Sequence, residues 1–294
     1  MSLLCPIDFR YGRPKMKGIF EEESRLQRLL EVEAALARAE AKVGLIPEPA
    51  AAEITKKATT KQVTVKRVQE IEEETRHDLM AVVLALTEAC DGEAGKYVHL
   101  GATSNDILDT ATALQLRDAI HIVGEDLGEL TTVFAGLASK HKRTVMLGRT
   151  HGQAAIPITF GLKMAVFASE VARQSDRLRE ASPRIVVGKM SGAVGTGAAF
   201  GPYALDIQPA VMRDLGLGVE EAATQVVGRD RYAEFIALLA NIAASLEKFC
   251  TEVRNLQRTE IGEVAEAFET KRQVGSSTMA QKENPVASEN VCSL

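Results

Sequence analysis

The chain has 294 residues, 46% of them hydrophobic and 26% charged, enough apolar matter for a sizeable core and far from a disordered or fibrous composition. With 35 basic against 40 acidic residues the net charge is −5, which argues against a general nucleic-acid binder, and no apolar run approaches the roughly 20 residues that span a bilayer. The opening MSLLCPIDFRYGRPKMKG has no secretory pattern, and Cys5, Cys90, Cys250 and Cys292 are too scattered for a disulfide framework or a zinc site, so a cytoplasmic protein is expected.

Aromatic residues make up only 4%, tryptophan is absent, and Ala, Leu and Glu dominate, which favours helix over sheet. In chain order, the period predicts a helix over Glu21–Val43, with Leu26, Leu29, Leu30, Val32, Ala35, Leu36 and Ala39 on one stripe. Gly44 follows as its stop, then Pro47 and Pro49. Ala50–Val65 reads as a polar connector, and Val63–Cys90 as a second helical region. Thr103-Ser104 can cap a helix over Asn105–Lys142, a stretch without proline. Unbroken, it would be roughly 55 Å long, a length that belongs to a bundle. Thr159–Arg184 and Arg231–Val264 are two further long helices. Phe235–Leu246 is apolar on more than one face, which predicts burial nearly all round, most easily against other subunits. The expectation is an all-α chain: an N-terminal helical domain over 1–92 and a long-helix bundle over 93–294.

Between the helices lie polar or glycine-rich segments: His99–Asp106, Gly148–Pro157, Gly188–Gly201 and Gly275–Pro285. Such segments on a rigid scaffold are where function concentrates. Gly188–Gly201 is not a nucleotide loop, since Lys189 precedes its glycines and Gly195, Gly197 and Gly201 lack the dinucleotide spacing. It reads as a connector. Of the five histidines, His121 and His141 fall in the long helix, as surface or packing residues. His77 stands beside Asp78, and His99 and His151 stand at loop–helix junctions beside Thr103-Ser104 and Thr150. In Gly275–Pro285 a glycine, two serines, Lys282 and Asn284 form an anion cradle, in which glycine lets several N–H groups face one anion.

That last stretch, GSSTMAQKENP, resembles the signature of the fumarase/aspartase/argininosuccinate lyase superfamily. Gly101–Thr110 (GATSNDILDT) and Gly148–Gly161 (GRTHGQAAIPITFG) match two more of its blocks in order. Four further features resemble the branch that eliminates fumarate from succinylated purine nucleotides: Arg10-Tyr11 followed by Arg13-Pro14, Arg76-His77-Asp78, Tyr97-Val98-His99, and Thr224-Gln225 followed by Arg229-Asp230. The resemblance runs over roughly residues 8–292. It implies an anti-elimination with Ser276 as base and His151 as general acid. It also implies that Arg10, Tyr11, Arg76, His77, Asp78, His99, Thr103, Ser104, Thr150, Gln225, Lys282 and Asn284 bind the substrate. A small succinyl nucleotide is the expected partner, with no metal or organic cofactor, no nucleic acid and no membrane. A homotetramer is implied, each site assembled from several subunits.

The chain departs from the pattern at Ala280-Gln281, where the family usually has proline first. It also stops at Leu294, where the family continues into further helices that carry phosphate-gripping residues, so a C-terminally truncated chain is expected. A sister lyase or cycloisomerase would share the central blocks but is disfavoured by Arg10-Tyr11, Arg76-His77-Asp78 and His99. A structural protein on this fold is disfavoured by the joint presence of His151, Ser276, Lys282 and Asn284.

Overall fold

The computed structural model describes residues 11–268, 278–279 and 281–294, and they are overwhelmingly helical. The chain packs as two compact units. One holds the residues up to Val123 together with Ala181–Ala233; the other holds Gly124–Glu180 and the chain from Glu234 onwards. This grouping cuts the chain elsewhere than the 92/93 edge expected from the sequence.

In the first unit, α1 (Pro14–Phe20) leads into α2 (Glu22–Lys42). The stop at Gly44 is as the sequence predicts. Its φ is +76°, and it donates to the Ala41 carbonyl while Leu45 donates to that of Glu40, closing the last turn. The predicted connector is instead partly helix, α3 (Glu48–Lys57), because Ala50, Ala51 and Ile54 fall on one face and bury there. The second helical region is two helices, α4 (Val65–Thr75) and α5 (Asp78–Ala89). Thr64 caps the first by accepting from the Arg67 N–H at 3.2 Å.

The core of this unit joins α2, α3 and α5 to the first half of the long helix α6 (Ser104–Lys140) and to α8 (Ala204–Leu215). Leu30, Leu36, Ile54, Leu79, Leu86, Ile107, Leu114, Phe200 and Ile207 are fully buried in it. A short parallel pair, β3 (Val187–Gly188) with β4 (Gly218–Val219), ties the segment after α7 (Phe160–Ile185) to the one after α8.

In the second unit, Gly148–Pro157 is no loop. β1 (Val145–Thr150) and β2 (Gln153–Thr159) form an antiparallel hairpin with a bulge between Leu147 and Arg149. Parts of α6, α7 and α9 (Asp230–Leu256) pack through Phe134, Phe167 and Phe249, whose ring centroids lie 4.3–5.6 Å apart. An apolar groove of about 1130 Å³ runs along these rings. Helix α9 stops at Leu256, short of the predicted Val264, because the Leu256 carbonyl accepts from the Glu263 N–H at 3.0 Å and turns the chain back. Ile236 on α9 is 62% exposed in the single chain, so the apolar face read from the sequence is only partly covered there. His141 lies just past the end of α6 at Lys140, not within the helix as predicted, and it stacks edge-on against Phe160, one of the two roles expected for it. A last helix, α10 (Val286–Ser293), closes the described chain. Among the described residues no helix is long and apolar enough to cross a membrane.

Candidate functional site

In the first unit Arg76, His77, Asp78, Thr103 and Ser104 sit at helix starts. Arg76 ends α4 in the left-handed region (φ +54°), and His77 immediately caps α5, its Nδ1 accepting from the Met80 N–H at 3.3 Å. Arg76, His77 and Asp78 are all exposed. Asp78 opens the first turn of α5, where a carboxylate complements the helix dipole, with the Arg25 guanidinium 3.9 Å away. Tyr11 is half-buried, and Gln225 is exposed.

The second junction leads into α6. His99 is left-handed (φ +61°) and Thr103 is the residue before the helix. Asp106, at the third helical position, reaches back to accept from the Thr103 N–H at 2.9 Å, one half of a capping box. Its carboxylate also accepts from the Lys189 ammonium and from the backbone N–H groups of Ser191 (3.0 Å) and Gly192 (2.9 Å). Asp106 and Lys189 both have no side-chain exposure. One buried carboxylate therefore fastens the Thr103-Ser104 turn to the 189–192 segment, which is more than the plain connector read from the sequence. Gly101, in the same turn, has φ +73°, and a Cβ there would lie 2.7 Å from the Phe200 ring. One turn further along α6, Asp109 accepts from the Val227 N–H at 2.8 Å and pairs with Arg229 at 2.9 Å, setting the segment that carries Gln225.

Behind His99 stands Glu33 of α2, a carboxylate only 1% exposed, whose Oε1 is 2.7 Å from His99 Nδ1. Two turns on, Glu40 is fully buried. Burial, and then the charge of Glu33, push its carboxyl up to about 8. For His99, burial disfavours the cation, yet the Glu33 hydrogen bond and the charges of Glu33 and Asp106 outweigh it and raise the imidazole above its ordinary value. Sequence reading missed Glu33, Asp106, Asp109 and Lys189. The available signal for Glu33 was its phase: Leu26, Glu33 and Glu40 are spaced by seven on a stripe that is otherwise apolar.

In the second unit the hairpin pairs Thr150 with Gln153, which leaves His151-Gly152 as a two-residue turn with both φ positive (+56° and +73°), the type I′ arrangement. Thr150 and His151 are exposed at its tip. Beneath the tip, Arg149 grips Glu263 with two hydrogen bonds of 2.6 and 3.0 Å, which depresses the Glu263 carboxyl. Glu266 accepts from the N–H groups of Ala287 and Ser288 at 3.1 and 2.8 Å, fixing the start of α10 just after Lys282 and Asn284. Lys282 is exposed and Asn284 half-buried. Ser276, Arg10 and Ala280 lie outside the described residues.

Among the described residues, the non-glycine residues with positive φ are Arg76, His99 and His151. Each was singled out from sequence as a site residue. Left-handed backbone costs a residue with a Cβ roughly 1–2 kcal/mol, and such strain gathers at functional positions.

A model of a lyase family matches residues 8–294. The chain belongs to this lyase family. Similar lyases include an adenylosuccinate lyase from Pyrococcus abyssi, 55% identical over 98% of this chain, and those of Methanothermobacter thermautotrophicus (51% over 98%) and Aquifex aeolicus (45% over 97%). The chain spans 64% of the length of each of these three curated lyases. Among solved structures, it resembles a fumarate lyase from Mesorhizobium sp. BNC1, with a TM-score of 0.84 and 39% identity over 96% of this chain and 64% of that one. A 3-carboxy-cis,cis-muconate lactonizing enzyme from Pseudomonas putida gives a TM-score of 0.86 and 36% identity, covering 98% of this chain and 64% of that one. The all-α long-helix bundle expected from the superfamily resemblance is thus the fold of the lyase chain itself.

Proposed function

We propose that the whole protein is an adenylosuccinate lyase. It would eliminate fumarate from adenylosuccinate, leaving AMP, and from the succinylated carboxamide intermediate of purine synthesis. The observation that carries this reading is the 45–55% identity to adenylosuccinate lyases along 97–98% of the chain. The likeness to the lactonizing enzyme favours a cycloisomerase as second reading, but at 36% identity it is the weaker of the two.

The chemistry asked of the residues is a proton removal alpha to a carboxylate, followed by departure of the nitrogen on the neighbouring carbon. Removing the proton builds a dianionic aci-carboxylate, so the task is anion stabilisation and positioning. Ser276 is the proposed base, with Lys282 and neighbouring N–H groups favouring its alkoxide. His151 is the proposed acid; its exposed place on a rigid two-residue turn suits delivery of a proton to the leaving nitrogen. Thr103, Ser104, Thr150 and Asn284 offer neutral donors to the succinyl carboxylates. Arg10, Tyr11, Arg76, His77, Asp78, His99 and Gln225 are assigned to the nucleotide. We assign the working form as a cytoplasmic homotetramer with sites shared between subunits. Adenylosuccinate, argininosuccinate, aspartate and a carboxymuconate offered separately to the whole protein test the reading. Loss of absorbance with adenylosuccinate is expected, and turnover of only one of the others would replace it.

A further inference from the structure

We propose that Glu33 is the positioning residue of His99, holding its Nδ1–H and leaving Nε2–H to grip an anionic group of the substrate; this rests on the reading of His99 as a substrate-binding residue. Four observations carry it. Glu33 is 1% exposed and sits on α2 among Leu29, Leu30, Val32, Ala34 and Leu36, all buried, where packing alone asks for an apolar side chain. A lone buried carboxylate is unfavourable unless something compensates it. Its Oε1 lies 2.7 Å from His99 Nδ1, and Glu33 thereby selects which ring nitrogen carries a proton. His99 holds a strained left-handed backbone at this same contact, so two unfavourable features meet in one pair.

The fourth observation is the charge balance around the ring. Among the described residues, the charged groups that act on His99 are Glu33 from α2 and Asp106 from α6, and Asp106 is already paired with Lys189 from the segment after β3. Glu40, further along α2, is held protonated at neutral pH by burial and by Glu33. His99 is therefore the partner that stands against the Glu33 carboxylate in this part of the core, 2.7 Å away. The side chain of His99 keeps 13% exposure while Glu33 keeps none, so the ring is the member of the pair that can reach a solute.

The pair recruits a cation on a side chain whose charge a bound anion can reinforce. This differs from an arginine in one testable way: its charge depends on Glu33. In ¹⁵N-histidine spectra of the unliganded wild-type protein, His99 is expected to titrate above the ordinary histidine value, with both ring nitrogens protonated below its midpoint and Nδ1 alone protonated above it. In Glu33→Gln, which keeps shape but not charge, it is expected to titrate lower. Kinetically, Glu33→Gln should raise KM for adenylosuccinate about tenfold at pH 8, much less at pH 6, and change kcat less than KM.

A clamp that merely held the 98–103 turn on α2 would instead lower thermal stability and leave the pH dependence of KM in place; that result overturns the proposal. So does a wild-type His99 that titrates at its ordinary value, a measurement that stands even if Glu33→Gln fails to fold. If wild-type protein does not turn over adenylosuccinate, the functional reading fails, and the spectra alone decide whether Glu33 sets the state of His99.

Discussion

The Asp106–Lys189 pair allows a sharp test of what holds the Thr103-Ser104 turn. Both side chains are fully buried, and Asp106 takes three backbone N–H groups besides the ammonium. Breaking a buried pair by removing one member typically costs about 3–5 kcal/mol, because the survivor is left charged and uncompensated. Lys189→Met leaves Asp106 with its three N–H donors, so the loss should fall near the lower end, about 3 kcal/mol. Asp106→Asn is worse. The ammonium then meets a neutral amide oxygen and the Gly192 carbonyl at 3.5 Å in place of a carboxylate, and the amide nitrogen faces backbone donors, so about 5 kcal/mol is expected. The double variant removes both charges and should lose no more than Asp106→Asn alone. A double-mutant cycle in urea, followed by helix ellipticity, should therefore show a coupling of roughly 3 kcal/mol. Losses that add within about 0.5 kcal/mol would refute the claim that these two groups depend on each other.

Glu40 predicts a pH dependence of stability. Its folded pKa of about 8 lies above its usual 4.5, so its stabilising contribution is complete below 4.5 and is lost as pH rises towards 8. The expected slope is about 1.4 kcal/mol per pH unit in that window, and Glu40→Gln should flatten it in urea melts taken at several pH values. Gly101→Ala should cost about 2–4 kcal/mol in the same assay, from a left-handed φ together with a 2.7 Å approach to the buried Phe200 ring. His151→Ala and Ser276→Ala should each lower turnover by roughly 10²–10⁴-fold. Mixing the two inactive proteins should restore part of the activity, and no recovery after demonstrated subunit exchange would contradict sites built from several subunits.

The long helices were legible because their signals are local. The apolar period of Glu21–Val43, the Gly44 stop and the proline-free run after Thr103-Ser104 give α2 and α6 almost to the residue. The hairpin was hidden because Gly148, Gly152 and Pro157 interrupt its alternation, and because a two-residue turn built on His-Gly is a weak turn signal. The break between α4 and α5 was hidden for a related reason: it depends on one left-handed arginine and no glycine or proline marks it. The end of α9 is set by a carbonyl that turns the following chain back, which periodicity does not register. The candidate site residues came from short motifs. Their supports did not, since Glu33 meets a partner 66 positions away and Lys189 one 83 positions away.

The left-handed trio of Arg76, His99 and His151 has an evolutionary consequence. At each of these positions a lineage must satisfy the backbone with a residue that tolerates positive φ, and selection for chemistry adds a second demand. Were a descendant of this chain to keep the fold and retire the reaction, only the backbone demand would persist. These positions should then drift to glycine or asparagine, the residues that relieve the strain, and not to alanine or a β-branched residue. The identity of three residues would thus separate working descendants from retired ones, even in chains that fold alike.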